Sequence, residues 1–302
     1  MTFSLTILGN NSAVPAFGRN PTAQVLQLEG EQYLIDCGEG TQLQIAKFKV
    51  KKSKISHIFI SHLHGDHYLG LMGLLTSMGL LGRRSEIHLH GPALLIDIIN
   101  MQLNASNTQL PYPLIFHPLG DDNMIAETEK IIVSSVRVKH GIDCWGFIFR
   151  EKKNPRRLLA EKIRSYKIPH SAFEDLQQGK DHITAEGKII PNEELTEAHE
   201  PSRSYAYSAD TLFDLSLAEK FKGVDLLYHE TTYLKDQEIK AGERFHSTTV
   251  QAAEIARRAG AKKLLMGHFS SKYDDIRPFS REAKEIFENS ELALEGTTYL
   301  VG

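Results

Sequence analysis

Short apolar runs rich in Val, Ile, Thr and Phe alternate with turn residues through the first half of the chain: "FSLTILG", "AQVLQLEG", "QYLIDCG", "HIFISH", "EIHLHGP" and "IIVSSVRVKH". Such runs predict strands. Between them, "DHYLGLMGLLTSMGLLGR" and "PALLIDIINMQL" are apolar on nearly all sides and predict helices buried against a sheet. After Arg150 the pattern changes: "NPRRLLAEKIRSYKIPHSAFEDLQQGKDH" is charged and poor in β-branched residues, which predicts an inserted, partly helical projection supplying few core residues. Strands and helices then resume with "SYAYSAD", "DLLYHET", "TVQAAEIARRAGA", "KKLLMGHFSS", "SREAKEIFENS" and "TTYLVG". The strands look mostly antiparallel. The whole predicts an α/β protein with two sheets packed face to face and helices outside.

Length and composition narrow this further. A chain of 302 residues with 41% hydrophobic and 24% charged residues can bury a large single core carrying an insertion. No apolar run reaches the roughly 18 residues of a membrane span, and the first apolar run reads as a strand rather than a secretory signal. The expectation is a cytoplasmic protein with no membrane partner. Cys37 and Cys144 are too few for a disulfide framework or a thiolate zinc site, so any metal must be held by histidine and carboxylate. The net charge of −3 excludes a uniformly basic coat. Basic residues are nevertheless concentrated in "KFKVKKSK" (47–54) and in 150–167, where eight basic and two acidic residues sum to +6. Both are candidate phosphate-tracking patches, or else solvated faces.

The chemistry concentrates in "SHLHGDH" (61–67). His62 and His64, two apart after a strand, project to one side, while Asp66 and His67 follow a glycine that lets the chain turn. Imidazole and carboxylate at this density fit zinc, and Asp66 with His67 can serve a different ion from His62 with His64. Three more candidates each end a strand: His140, Asp210 and His268. Each also has a local alternative: Asp66 and Asp210 as helix N-caps, His140 as a satisfied loop histidine and His268 as a turn residue. His246 in "RFHSTT" is a candidate general acid, and Glu230 in "YHETT" is placed to raise its pKa. The alternatives here are a core-edge histidine, an ordinary surface acid, and Ser247 as an N-cap. "DCGEGT" is expected to shape the floor of the site, with Asp36 structural. His57, His88, His90, His117, His170, His182 and His199 show no convergent partners and read as structural or surface residues.

These residues resemble the metallo-β-lactamase superfamily, and along nearly the full chain they are similar to ribonuclease Z, the transfer-RNA 3′-processing endonucleases. Beyond the ligands, "AVPAFGRNPTA", "IDCGEGTQ", "AYSADT", "LYHETT", "FHSTT" and "GHFSSKY" stand in that family's order. The resemblance implies a metallo-β-lactamase fold, a four-layer αββα sandwich forming one catalytic domain (1–302) with a substrate-binding arm at 151–182. It implies two zinc ions per subunit, one on His62, His64 and His140, the other on Asp66, His67 and His268, with Asp210 bridging. Asp66 would also take the proton of the attacking water. Such a filled site carries about +2 before hydroxide binds and favours an anionic substrate. Arg19, Ser270 and Lys272, with Ser12, are candidate contacts to the substrate backbone. The reaction implied is cleavage of the 3′ trailer from precursor tRNA, leaving a 3′-hydroxyl and a 5′-phosphate, by a homodimer. Two positions depart from the pattern: the arm lacks a Gly-Pro pair, and Lys272 stands where arginine is commoner. The rival expectations are a hydrolase of small phosphodiesters and a non-catalytic RNA-binding protein.

Overall fold

A computed structural model describes residues 2–152, 155–198 and 201–302. His199, and Lys153 and Asn154 of the basic run, lie outside the described residues. Among the described residues no helix is long and apolar enough to cross a membrane.

The larger of two compact units comprises 1–150 and 203–302. Its first seven-stranded sheet runs, edge to edge, Thr298–Leu300, Phe3–Gly9, Ala23–Leu28, Glu31–Cys37, Ile55–Phe59, Ile87–Gly91 and Leu114–Pro118. The second runs Ser290–Leu292, Lys263–Gly267, Leu226–Glu230, Ser204–Tyr207, Trp145–Glu151, Ile131–Arg137 and Met124–Glu127. One core cluster joins residues of both sheets, among them Leu5, Ile7, Ile35 and Phe59 from the first and Phe147, Phe149, Tyr205 and Tyr228 from the second. A second cluster packs Val25, Leu34, Ile58 and Leu89 of the first sheet under the helices Leu71–Leu80 and Leu95–Ala105. Helix Thr249–Ala259 adds Ala253, Ile255 and Ala256 to the first cluster. This is the αββα layering of the metallo-β-lactamase fold.

Strand direction corrects the sequence expectation. Glu31–Cys37, Ile55–Phe59, Ile87–Gly91 and Leu114–Pro118 run parallel to one another, as do Ser204–Tyr207, Leu226–Glu230, Lys263–Gly267 and Ser290–Leu292. Parallel neighbours require crossover connections, and the helices between these strands supply most of them. Antiparallel pairing holds among Phe3–Gly9, Ala23–Leu28 and Glu31–Cys37. Parallel ladders bring several strand ends to one side, where ligand sites of α/β sheets form.

The smaller unit is Glu151–Ser202 and continues past residue 182. It has its own apolar cluster of Ile163, Ile168, Leu176, Ile190 and Leu195, where few core residues were expected. Short helices Ala160–Ser165 and Phe173–Gln177 pack with a hairpin of His182–Ile183 and Ile189–Ile190.

Four histidines read as lacking partners converge in the first sheet. His57 stands beside His88, and His90 beside His117, on adjacent strands. His57 Nδ1 lies 3.2 Å from His90 Nε2, and His88 Nδ1 lies 3.0 Å from His117 Nε2. The two pairs stack with centroids 4.7 and 4.5 Å apart. Burial, reinforced by the neighbouring imidazoles, pushes His57 down to about 4 and His90 to about 2, so these two rings are neutral at pH 7.

Candidate metal centre

The segment after Ile55–Phe59 runs extended through His64, whose φ of −74° and ψ of 143° precede a single helical turn, Gly65–Tyr68. That geometry sends His62 and His64 one way and Asp66 with His67 another. Asp66 makes no helix cap, and no helix begins at Thr211, since the next one is Ser216–Lys220. The capping alternatives are therefore set aside. The turn fits because Gly38 passes beneath it: a Cβ there would lie 2.3 Å from the Asp66 carbonyl oxygen, and one at Gly70 would lie 2.1 Å from that of Gly38. "DCGEGT" thus serves as a close-approach surface.

Two triads of ligand atoms result. His62, His64 and His140 form one: His64 Nδ1 is 3.1 Å from His62 Nε2 and 3.0 Å from His140 Nε2. Asp66, His67 and His268 form the other: His268 Nε2 is 3.3 Å from both His67 Nε2 and Asp66 Oδ2. Asp210 Oδ2 stands between them, 3.7 Å from His62 Nε2, 3.4 Å from His67 Nε2 and 3.3 Å from His268 Nε2. Its Oδ1 is buried with no hydrogen-bond partner.

This arrangement fits metal ions. Tetrahedral ligands about 2 Å from one ion lie about 3.3 Å apart, close to these spacings. Facing nitrogen lone pairs repel unless a proton or a cation lies between them, and the orphaned Asp210 oxygen calls for a positive partner. The carboxylates are already charged. Burial opposes ionisation of Asp66 and Asp210, but the surrounding imidazoles outweigh it and hold both well below the usual range.

The far sides of the rings are engaged as well. His67 Nδ1 donates to Asp36 Oδ2 at 2.8 Å, and His140 Nδ1 to the Phe245 carbonyl at 2.9 Å. His62 Nδ1 pairs with Ser61 Oγ at 3.0 Å, and His268 Nδ1 with Thr232 Oγ1 at 2.9 Å. Each contact leaves Nε2 facing the centre, the outer-shell pattern of metal-bound histidine. Asp36 is itself anchored by the Ser61 amide at 2.7 Å and the Tyr207 hydroxyl at 2.6 Å. Its structural role is to orient a ring. Its sequence signal was an aspartate ending a strand before "CGEG".

Backbone strain gathers here. Of ten described non-glycine residues with positive φ, five are Ala13, Asp36, Ala209, Phe245 and His268. Each is a ligand, a neighbour of one or a contact to one, and the Ala13 amide donates to Asp66 Oδ2 at 2.7 Å. Strained backbone at a site is held by the surrounding packing.

His246 and Glu230 meet at 2.9 Å through Nδ1 and Oε1. Glu230 is buried and accepts from the amides of Thr211, Ser247 and Thr232. Burial disfavours the imidazolium, but the Glu230 carboxylate more than compensates and lifts His246 to about 9. Ser247 is not the N-cap: Thr248 caps the helix Thr249–Ala259 in a capping box with Gln251. His229 is buried, its Nδ1 donating to the Glu230 carbonyl at 2.8 Å.

A cavity of about 320 Å³ opens over the two triads, lined by Ser12, Ala13, Glu39, His64, Asp66, Asp210, His246 and His268 among others. Arg19, Ser270 and Lys272 are not among its lining residues. The Arg19 guanidinium is committed to Asn11 Oδ1 and to the carbonyls of Tyr273 and Asp274. Ser270 lies opposite Ser12 in a short parallel pair, and the Lys272 ammonium lies over the Tyr273 ring.

With this geometry in hand, likeness to known proteins is decisive. Ribonuclease Z of Bacteroides fragilis strain YCH46 is 41% identical over 97% of this chain and 97% of its own length. The chain belongs to the ribonuclease Z family. Another member, from Cytophaga hutchinsonii, is 41% identical over 100% of this chain and 97% of its own. The crystal structure of the short form of human tRNase Z superposes with a TM-score of 0.72 at 27% identity, covering 99% of both chains. The metallo-β-lactamase fold protein YhfI of Bacillus subtilis, TM-score 0.70 at 18% identity and 99% and 98% coverage, shares the fold. A family model described as anti-Pycsar protein Apyc1 matches residues 3–141, and the beta-lactamase superfamily domain matches 195–269. Family members thus align across the residues of both triads and across 151–202.

Proposed function

We propose that the chain is an endoribonuclease that removes the 3′ trailer from precursor tRNA at this centre, in the cytoplasm and as a homodimer. The observation that carries the reading is the Glu230–His246 pair set against the two triads, in a chain aligned end to end with ribonuclease Z.

In this reading His62, His64 and His140 would hold one zinc ion and Asp66, His67 and His268 a second, with Asp210 placed between the triads to serve both. When bound, the ions polarise the phosphodiester and supply a nucleophile at neutral pH. The chain's own residues do the rest. Asp66 Oδ2, fixed by the Ala13 amide, accepts the proton released by the attacking water. His246 is largely charged at pH 7 and donates a proton to the departing 3′ oxygen of the tRNA, leaving a 3′-hydroxyl and a 5′-phosphate. Glu230 keeps that proton on His246 until the transfer. Ser270, Lys272 and the loop clasped by Arg19 contact the RNA backbone near the cavity mouth.

The unit after Arg150, rich in Lys and Arg up to Lys167, binds the tRNA backbone. Arg150 pairs with Ser204 on antiparallel strands, so a short turn can replace 152–202 without disturbing the sheets. That variant is expected to lose cleavage of a 3′-extended tRNA while still hydrolysing bis(p-nitrophenyl) phosphate. Mapping product ends from metal-loaded wild type, beside Asp66→Ala, tests the whole reading. Undiminished cleavage by Asp66→Ala would sink it.

A further inference from the structure

A second cavity, of about 540 Å³, adjoins the metal centre and has no part in the chemistry above. His64 lines both cavities, so they are neighbours across one metal-binding side chain. Its inner wall is Leu119 and Trp145, both buried. The Trp145 indole N–H already donates to the Gly120 carbonyl, which leaves this ring no free polar atom. Two large aliphatic side chains at the cavity, Leu94 and Ile142, are 65% and 40% exposed. Besides His64, its polar residues are Arg137, whose guanidinium lies 5.1 Å from the Trp145 ring centroid, and Asp143, with which Arg137 is paired.

This composition selects among ligands. A bare phosphate is a poor occupant, because the Arg137 charge is already matched by Asp143 and, His64 apart, the remaining lining side chains are apolar. A flat molecule with apolar faces and a hydrogen-bonding edge suits it: the faces meet aliphatic side chains, and the edge meets one donor group and one acceptor group. A nucleobase has that form.

Resting on the function proposed above, we propose that this cavity holds the base of the first trailer nucleotide, wedged between Leu94 and Ile142 with its edge at Arg137 and Asp143. The side follows from the general acid. His246 protonates the oxygen that stays with the tRNA, and His246 lines the metal cavity but not this one. The tRNA end therefore lies towards His246, and the trailer leaves past His64. Bound there, the base also covers aliphatic surface that is otherwise in contact with water.

The test compares two 3′-extended tRNAs, identical except that the first trailer nucleotide of one lacks its base, cleaved by metal-loaded wild type and by Leu94→Ala. For the wild type the abasic RNA is expected to show a KM raised about tenfold; for Leu94→Ala this penalty shrinks several-fold. Trp145 is the only tryptophan in the chain, so its emission reports directly on the cavity. It should change when a 3′-extended tRNA with an uncleavable linkage binds, and change less with the abasic form. Equal KM values for the two RNAs in the wild type would overturn the inference and leave the proposed function standing. No cleavage of either RNA would overturn both. A third outcome, Leu94→Ala sedimenting as a monomer with its abasic penalty intact, would assign the cavity to a second copy of the chain and overturn the inference.

Discussion

His246 Nδ1 donates to Glu230 Oε1 at 2.9 Å, and Glu230, the more buried partner, is fixed by three backbone amides. The carboxylate cannot swing away, so the imidazole is oriented by backbone rather than by another flexible side chain.

Protonated His246 is the form able to give up a proton, so turnover falls as pH rises through its pKa. Glu230 holds that value near 9. In Glu230→Gln the charge is lost, and the alkaline limb of the rate profile should move to lower pH. Activity on precursor tRNA is expected to fall by up to about 10²-fold. Hydrolysis of bis(p-nitrophenyl) phosphate, whose leaving group needs no proton, should fall far less. Equal losses on both substrates would contradict a general-acid pair.

Asp36 touches no substrate and supplies no ligand atom, yet it fixes the His67 ring through Nδ1. Asp36→Asn should weaken metal binding about 10- to 100-fold, measured by competition with a chelating dye. Chelation should lower the thermal midpoint of the wild type as well, because a bound ion stabilises only the folded chain. Unaltered affinity in Asp36→Asn would remove its orienting role.

Gly38 leaves no room for a side chain against the Asp66 carbonyl. Gly38→Ala should cost about 1–3 kcal/mol by overpacking, seen as a lower thermal midpoint, and reduce metal content because the displaced residue is a proposed ligand. A variant with wild-type metal content would show that the loop can yield.

His57 and His90 make stability depend on pH. They fall to about 4 and about 2 in the folded chain, against 6.5 for free histidine. The unfolded chain therefore binds more protons between those values. This contribution is complete above pH 6.5 and lost progressively as pH falls, towards 4 for His57 and towards 2 for His90. Glu86 opposes the trend at His57 without reversing it. A His57→Phe, His90→Phe double variant should show a thermal midpoint that declines less between pH 7 and 5 than the wild type does. Parallel slopes would refute the point.

Much of the site was legible along the chain because ligand chemistry is local. "SHLHGDH" places four donors within one strand end and one helical turn, and no fold is needed to see that they can converge. His140, Asp210 and His268 were legible as strand-end residues, and His246 and Glu230 through the order of their segments. The roles of Ser61, Thr232 and the Phe245 carbonyl were not, since nothing in a serine, a threonine or a backbone oxygen marks it as the partner of a distant ring.

Residue type, spacing and apolar pattern thus determined the layer architecture, the candidate donor residues and the insertion after Arg150, because each depends on properties a residue has before folding. Tertiary structure alone decided the parallel direction of the strands behind the site, the stacking of four histidines from three strands, the reach of the smaller unit to Ser202, and the cavity beside His64. All four depend on which distant segments become neighbours. That is set by the packing of whole faces, in which each position contributes little and no short stretch of sequence suffices.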